Sequence, residues 1–549
     1  MAIRTATHSI APEPALFFEY GARSAQAEPL ALFGGPLIFD SGEAEATFLY
    51  RCQDRFYAYA SMLGLRTVFL VEDRAHADRY VSPLQAFHRD ADTIAGATGV
   101  LRVRAPKTPL FLGCRLEDAS LSSLGPDWSD EPLKAGCAVR LLLNQISPTG
   151  ARLVRQMADI LAEAGIALPV DADACAADGA RAFQLHDKAH AMALFRIPDS
   201  DGGPRALPTA ALDVEEFIGL ADWEALAEVY RSRSGDRSTV TDLVVKSSRD
   251  SAGNTSGTFN AANFEEARVR LARETESWDL QADPVAQLVE ARRDIEASPR
   301  LCSAAYPDAR LLGFEAQRRR RRYRVRLLVQ RRIPPAGGSA ERPAAIGLSF
   351  FVQPDGQVET ICISGQTYQD EARRHFRGAY LDSASDEAFR GSAFEAQMHR
   401  MCRRAAAKGY RGPINFDALL DRDGDYTLIH DCNPRLSAVF PPLALQRALA
   451  REGHRPRTVL SLGYRGEFQA DDLAHSLESL KLQGWLYSCK TRSGALLYPS
   501  LVRPGAFDVH MLDVPPSAVT EIVSGLAAHG VVGRAPPTLY GLPGDDCAR

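Results

Sequence analysis

Acidic and amide oxygens gather in the segment GPINFDALLDRDGDYTLIHDCNPRLS, residues 412–437. Asp417 and Asp431 lie fourteen positions apart, separated by two apolar runs and a turn signal at Asp423-Gly424. Two strands that fold back on each other bring both carboxylates to one end of a hairpin, and Asn433 shares a face with Asp431. Two carboxylates plus an amide oxygen suit a hard cation such as Mg²⁺, which completes its shell from water and phosphate oxygens. Arg435, two residues further, adds a positive charge beside that platform.

Upstream, DLVVKSSRDSAGNTSG reads as an apolar strand that delivers Lys246 to a polar loop carrying Ser247, Ser248, Ser251 and Gly253. Small side chains leave backbone N–H groups and hydroxyls free to surround phosphate oxygens while the lysine neutralises charge. In LHDKAHAMALF, Asp187-Lys188 opens a helix and places another lysine 58 residues before Lys246. The strand RLLVQRRI carries Gln330, Arg331 and Ile333 at its end, with no acid among them; the next acid along the chain is Glu341.

Taken in order, these segments resemble the ATP-grasp superfamily over about residues 180–445. Its motif of an Asp, then an acid, x, Asn, Pro, Arg is matched by Asp417, Asp431, Asn433, Pro434 and Arg435. The resemblance implies Mg²⁺, with Mn²⁺ as the alternative ion, on Asp417, Asp431 and Asn433, and ATP phosphates on Lys188, Lys246 and a mobile loop containing Ser247, Ser248, Ser251 and Gly253. It implies an adenine edge at Gln330, Arg331 and Ile333, and catalytic roles for Arg435, Lys246 and the residue at Asn415. Two positions depart from the pattern: Asp431 stands where Glu is usual, and Asn415 where some members carry an arginine that steadies the acyl intermediate.

The activity implied is that of a carboxylate-amine ligase working through an acylphosphate, with small-molecule acid and amine substrates. By layout it is similar to ligases of peptide and natural-product assembly, including the pheganomycin type, and such relatives are often homodimers. A phosphotransferase, a thioester- or ester-forming ligase, and a nucleotide-binding protein without turnover remain open alternatives.

The supporting elements imply an α/β fold with α+β subdomains. An N-terminal doubly wound domain is expected at 1–179, with strands near RTVFLVE and AVRLLLN and a helix over Phe48–Leu63. The ATP-grasp part is expected at 180–445, divided into 180–330 and 331–445, and a separate α/β cap at 446–549. Hairpins are expected around Pro354-Asp355-Gly356 and Asp423-Gly424, and long helices over Val214–Arg231 and Phe264–Glu296.

A chain of 549 residues is too long for one core, and 45% hydrophobic with 24% charged residues excludes a disordered chain. A net charge of −5 gives no general attraction to nucleic acid or anionic membrane. No apolar run approaches a membrane span, and the ten cysteines form no Cys-x-x-Cys pair, so reduced thiols in a cytoplasm are expected. The run Arg318–Arg322 reads as a charged strand edge rather than a nucleic-acid site. Asp421, Asp423 and Asp425 read as a turn, His430 as pointing away from the carboxylates, and Arg373, Arg374, His375 and Arg377 as a solvated helix face.

Overall fold

The structure, a computed structural model, describes five N-terminal strands within residues 18–143, parts of 146–170, then 171–195, 205–248, 257–276, 326–333, 342–368 and 376–421. It further describes 424–451, 453–465, 470–488, 490–499 and 506–528. The expected helix at Phe48–Leu63, the arginine run, Glu341, Ser251 and Gly253 lie outside these residues.

In the N-terminal sheet the strands run Phe18–Gly21, Val139–Leu143, Glu28–Phe33, Arg66–Leu70, Leu110–Leu112. All pairs but the first are parallel, which forces crossover connections and fits the doubly wound expectation.

The second sheet is antiparallel, in the order Thr209–Asp213, Arg326–Arg331, Leu243–Ser247, Gly257–Phe259. Helices Val214–Ile218, Trp223–Ser234 and Phe264–Glu276 pack Phe217, Leu226, Tyr230 and Phe264 against Phe259 and Leu327 of the strands in one core. The single helix expected over 214–231 is two. It breaks after Gly219, and Asp222 starts the next helix by accepting from the Ala225 N–H at 2.9 Å.

A third sheet has nine strands: Gly494–Pro499, Ala506–Leu512, Thr458–Arg465, Phe376–Asp382, Val358–Tyr368, Ala345–Val352, Gly412–Leu420, Tyr426–Asn433 and Arg205–Ala206. Both expected hairpins are present in it. Helices Ala172–His186, Lys188–Phe195 and Ala393–Ala407 pack on one part, through Phe195, Phe350, Phe416, Met398 and Met401. Helices Ala470–Leu482 and Pro516–Ala528 supply a second cluster under the C-terminal strands, around Leu480, Ile522, Val509 and Leu462.

The expected domain limits are corrected by this sheet. The boundary at 445/446 does not mark a separate cap, because Phe376–Asp382 pairs directly with Thr458–Arg465. Those three C-terminal strands would otherwise present an open edge, so their burial requires the rest of the sheet. The limit at 179/180 cuts helix Ala172–His186, whose residues join the same core as the central strands. The limit at 330/331 cuts strand Arg326–Arg331. Arg377 lies in a strand, not on a helix, and Arg373, Arg374 and His375 are outside the described residues.

Candidate functional site

The acidic hairpin owes its geometry to a break in its ladder. From the turn the pairs run Leu420↔Tyr426, Leu419↔Thr427 and Ala418↔Leu428, and then the register moves by two, to Phe416↔Cys432 and Asn415↔Asn433. Ile429, His430 and Asp431 therefore face the single residue Asp417, a special bulge with two extra residues on one strand. Continued unbroken, the first register would set Asp431 against Asn415; the shift brings it to Asp417. Burial and the charge of Asp431 together push the Asp417 carboxyl up to about 7.

Around the pair, polar side chains are held in fixed hydrogen bonds. Asp417 Oδ1 accepts from Gln366 Nε2 at 2.7 Å and from Asn415 Nδ2 at 3.2 Å. Asn415 Oδ1 accepts from Ser349 Oγ at 3.0 Å, and Ser349 Oγ lies 3.4 Å from Ser437 Oγ. Asn433 Nδ2 reaches Asp431 Oδ1 at 3.5 Å, and Arg435 Nη2 donates to Asn433 Oδ1 at 3.3 Å. Asp417, Asp431, Asn433 and Arg435 are thus gathered in one place.

Asn415 is buried with both ends of its amide engaged, so its side chain braces Asp417 and is not turned toward open space. The expected direct role at the acyl group does not fit that placement. Its chemistry there is to hold a carboxylate.

The lysines arrive from two directions. Lys188, only 3% exposed, sets its Nζ 3.6 Å from Asp431 Oδ1. It is placed by Asp187, whose Oδ1 accepts from the N–H groups of Ala189 and His190 at 3.0 and 3.2 Å and so starts the helix. Ser248 ties this turn to the antiparallel sheet: its carbonyl accepts from Lys188 N–H at 2.8 Å and its N–H donates to Arg326 O at 2.7 Å. Its Oγ lies 3.4 Å from Asp187 Oδ2. Fully buried, Ser248 is a structural link rather than part of a phosphate cradle, whereas Ser247 ends the strand at the mouth of the loop.

Lys246 enters from the antiparallel sheet, and its Nζ donates to the carbonyl of Ile429 at 2.6 Å. That carbonyl is available because the bulge takes it out of the hairpin ladder. Gln330 Nε2 donates to the same oxygen at 3.1 Å and to Thr209 Oγ1 at 2.8 Å. The backbone of Gln330 pairs with Thr209 and Val244 on its two sides, and that of Arg331 with Leu243. An adenine edge at Gln330 is therefore corrected: the ladder holds that backbone, and only the segment after Arg331 extends beyond the ladder. Arg332 N–H is bonded to Asp242 O at 3.1 Å, which leaves Ile333 as the expected residue still placed for such a contact.

Several participants escaped sequence reading. Gln366, Tyr368 and Ser349 come from strands without a motif, and only the sheet order brings them to Asp417 and Asn415. His186 is buried beside Lys188 and Arg435, and burial first, with those two charges, holds its imidazole well below the ordinary range. The adjacent LHDK spelling was its one sequence signal. A cavity of about 20 Å³, lined by Phe195, Met401, Phe416, Leu428 and both aspartates, adjoins the pair on its apolar side.

Among the described residues no three His, Cys, Asp or Glu side chains gather as a metal cluster. The donor set is two carboxylates and one amide, which suits an ion that draws its remaining ligands from water and phosphate and not an all-protein cage. No described helix is long and apolar enough to cross a membrane.

No family model and no curated protein matches the chain. Among solved structures it is similar to N5-carboxyaminoimidazole ribonucleotide synthetase from Thermus thermophilus, at 13% identity and a TM-score of 0.43 over 92% of this chain and 99% of that one. It is similar to N5-carboxyaminoimidazole synthetase from Staphylococcus aureus complexed with ADP, at 10% and 0.43 over 91% and 97%. The biotin carboxylase domain of the Hydrogenobacter thermophilus 2-oxoglutarate carboxylase, in complex with MgADP, gives 11% and 0.38 over 90% and 89%.

Proposed function

We propose that this chain is an ATP-grasp ligase that joins a carboxylate to an amine at the expense of ATP, in the assembly of a peptide or related small molecule. One observation carries the reading: Lys188 from a helix start, Lys246 from the antiparallel sheet, and Asn433 and Arg435 from the hairpin end converge on the pair Asp417 and Asp431. A polyphosphate brought to two carboxylates needs cations on every side, and this arrangement supplies them.

In this reading a substrate carboxylate oxygen attacks the γ-phosphorus, ADP leaves, and the acylphosphate is then attacked at carbon by an amine that loses a proton as phosphate departs. Asp417, Asp431 and Asn433 would hold Mg²⁺, which neutralises phosphate charge when bound. Lys246 and Lys188 exchange their present partners, the Ile429 carbonyl and Asp431, for phosphate oxygens. Arg435 lies where charge develops on the transferred group. The antiparallel sheet, which carries Lys246, faces the acylphosphate and keeps water from it.

The test is ADP release with Mg²⁺-ATP and pooled amino acids and small carboxylates, followed by mass spectrometry, for the wild type, Lys246→Ala and Asp431→Ala. Release that requires both an acid and an amine, and is lost in both variants, is the expected result. A second reading, nucleotide binding without turnover, is favoured by the engagement of Asn415 and Lys246 with protein groups. Bound ATP with no ADP formed across the panel would decide for it.

A further inference from the structure

Asp417 is held by a residue two strands away. Gln366 lies on strand Val358–Tyr368 and Asp417 on Gly412–Leu420, with Ala345–Val352 between them. Two strand spacings amount to about 9.5 Å. The reach is open because the intervening residue paired with Asp417 is Gly347. A Cβ there would stand 3.4 Å from Gln366 Nε2, 3.5 Å from Asn415 Oδ1 and 3.0 Å from Ser364 Oγ.

The orientation of the Gln366 amide follows from its partners. A carboxylate that holds a cation is ionised and only accepts, so the amide nitrogen faces Asp417, at 2.7 Å. The amide oxygen then faces Tyr368, whose hydroxyl donates to it at 2.5 Å. Among the described residues, both donors to Asp417, Gln366 and Asn415, converge on Oδ1. With Oδ1 bearing two N–H groups, the carboxylate has Oδ2 to offer a cation.

We propose that Gln366, oriented by Tyr368, is a positioning residue that makes Asp417 a one-oxygen ligand and thereby selects Mg²⁺ over Ca²⁺ at this site. Mg²⁺ needs six ligands at short, regular distances, whereas Ca²⁺ accepts more oxygens and takes carboxylates through both. Donors that tie one oxygen of a metal-binding carboxylate fix its orientation and oppose the two-oxygen mode. The inference rests on the reading of Asp417 and Asp431 as metal ligands and adds a determinant of ion choice that lies outside the hairpin.

The experiment is electron paramagnetic resonance of Mn²⁺ titrated into the metal-stripped full-length protein, with Mg²⁺ and Ca²⁺ as competitors, for the wild type, Gln366→Leu, Tyr368→Phe and Asp431→Ala. The wild type is expected to bind Mn²⁺ in a way lost in Asp431→Ala. Gln366→Leu should weaken Mg²⁺ competition by about tenfold or more while Ca²⁺ competition is kept or strengthened. Tyr368→Phe, which removes one hydroxyl, should shift the same ratio in the same direction by less. Equal weakening of both ions, or no change in the ratio, would overturn the positioning role and leave the metal platform standing. Absence of any Asp431-dependent Mn²⁺ binding in the wild type would overturn the platform and this inference with it.

Discussion

The Lys246 ammonium stands 2.6 Å from the carbonyl oxygen of Ile429, across the gap between the antiparallel sheet and the nine-stranded sheet. The contact exists because the hairpin bulge releases that carbonyl from its ladder, and Gln330 shares it at 3.1 Å. The lysine expected at the triphosphate is thus parked on a neutral acceptor, one that a phosphate oxygen can replace at little cost.

Lys246→Met should therefore separate two effects. The Ile429 carbonyl keeps Gln330 as a donor, so unfolding stability should fall by no more than about 1 kcal/mol. Nucleotide affinity should fall by about tenfold or more, since a charge-assisted hydrogen bond to phosphate has no substitute. Calorimetric titration of ATP beside a urea melt reads both, and a variant that binds ATP as tightly as the wild type would remove Lys246 from the site.

Asn415 gives a stability effect instead. Asn415→Leu leaves Ser349 Oγ and Asp417 Oδ1 each short of a buried partner, an expected loss of about 2 kcal/mol in urea unfolding. A melt unchanged by the substitution would show that the amide is not a brace.

The contrast between these two residues shows what the chain made legible. Lys246 follows the apolar run Leu243, Val244 and Val245, so its place near a strand's end could be read directly. Asp417, Asp431, Asn433 and Arg435 share one hairpin, and local spacing was enough to join them. The two-residue register shift was not legible, because nothing in TLIHD marks a bulge; the regular register also satisfies the alternation of apolar side chains. Gln366 and Ser349 were invisible for a different reason. They reach Asp417 through strand order, which depends on pairings across more than fifty residues. Two of the three C-terminal strands are recognisable in ALLYP and FDVHML, but the third, Thr458–Arg465, which joins them to the sheet, takes its partner Phe376–Asp382 from another part of the sequence.

Acid sensitivity should trace in part to His510. It is fully buried in strand Ala506–Leu512, and burial lowers its imidazole from 6.5 to about 3. The folded state thus resists a proton that the unfolded chain accepts, so this contribution is present above about pH 6.5 and is lost as pH falls below it. For a group that stays neutral when folded, the loss reaches about 2 kcal/mol by pH 5. Between pH 7.5 and pH 5 the unfolding free energy from urea melts should fall by about 2 kcal/mol more in the wild type than in His510→Gln. Parallel pH dependences would mean that His510 takes up its proton while folded.

The continuity of the nine-stranded sheet makes the sharpest prediction about the C-terminal part. Gly378 pairs with Leu462, and a Cβ at Gly378 would fall 1.8 Å from the backbone oxygen of Ser461. No rotamer adjustment relieves a clash with backbone, so Gly378→Ala must part Phe376–Asp382 from Thr458–Arg465. If residues beyond 445 formed an independent cap, that parting would loosen a connection and leave two folded units. In a continuous sheet it opens the middle, exposes Tyr380 and Leu462 of the core under the C-terminal helices, and uncovers two strand edges. Gly378→Ala should therefore unfold in one transition at a temperature lowered by several degrees, and a chain ending at 451 should aggregate. Two well-separated calorimetric transitions in the variant, the upper one unshifted, would restore the separate cap.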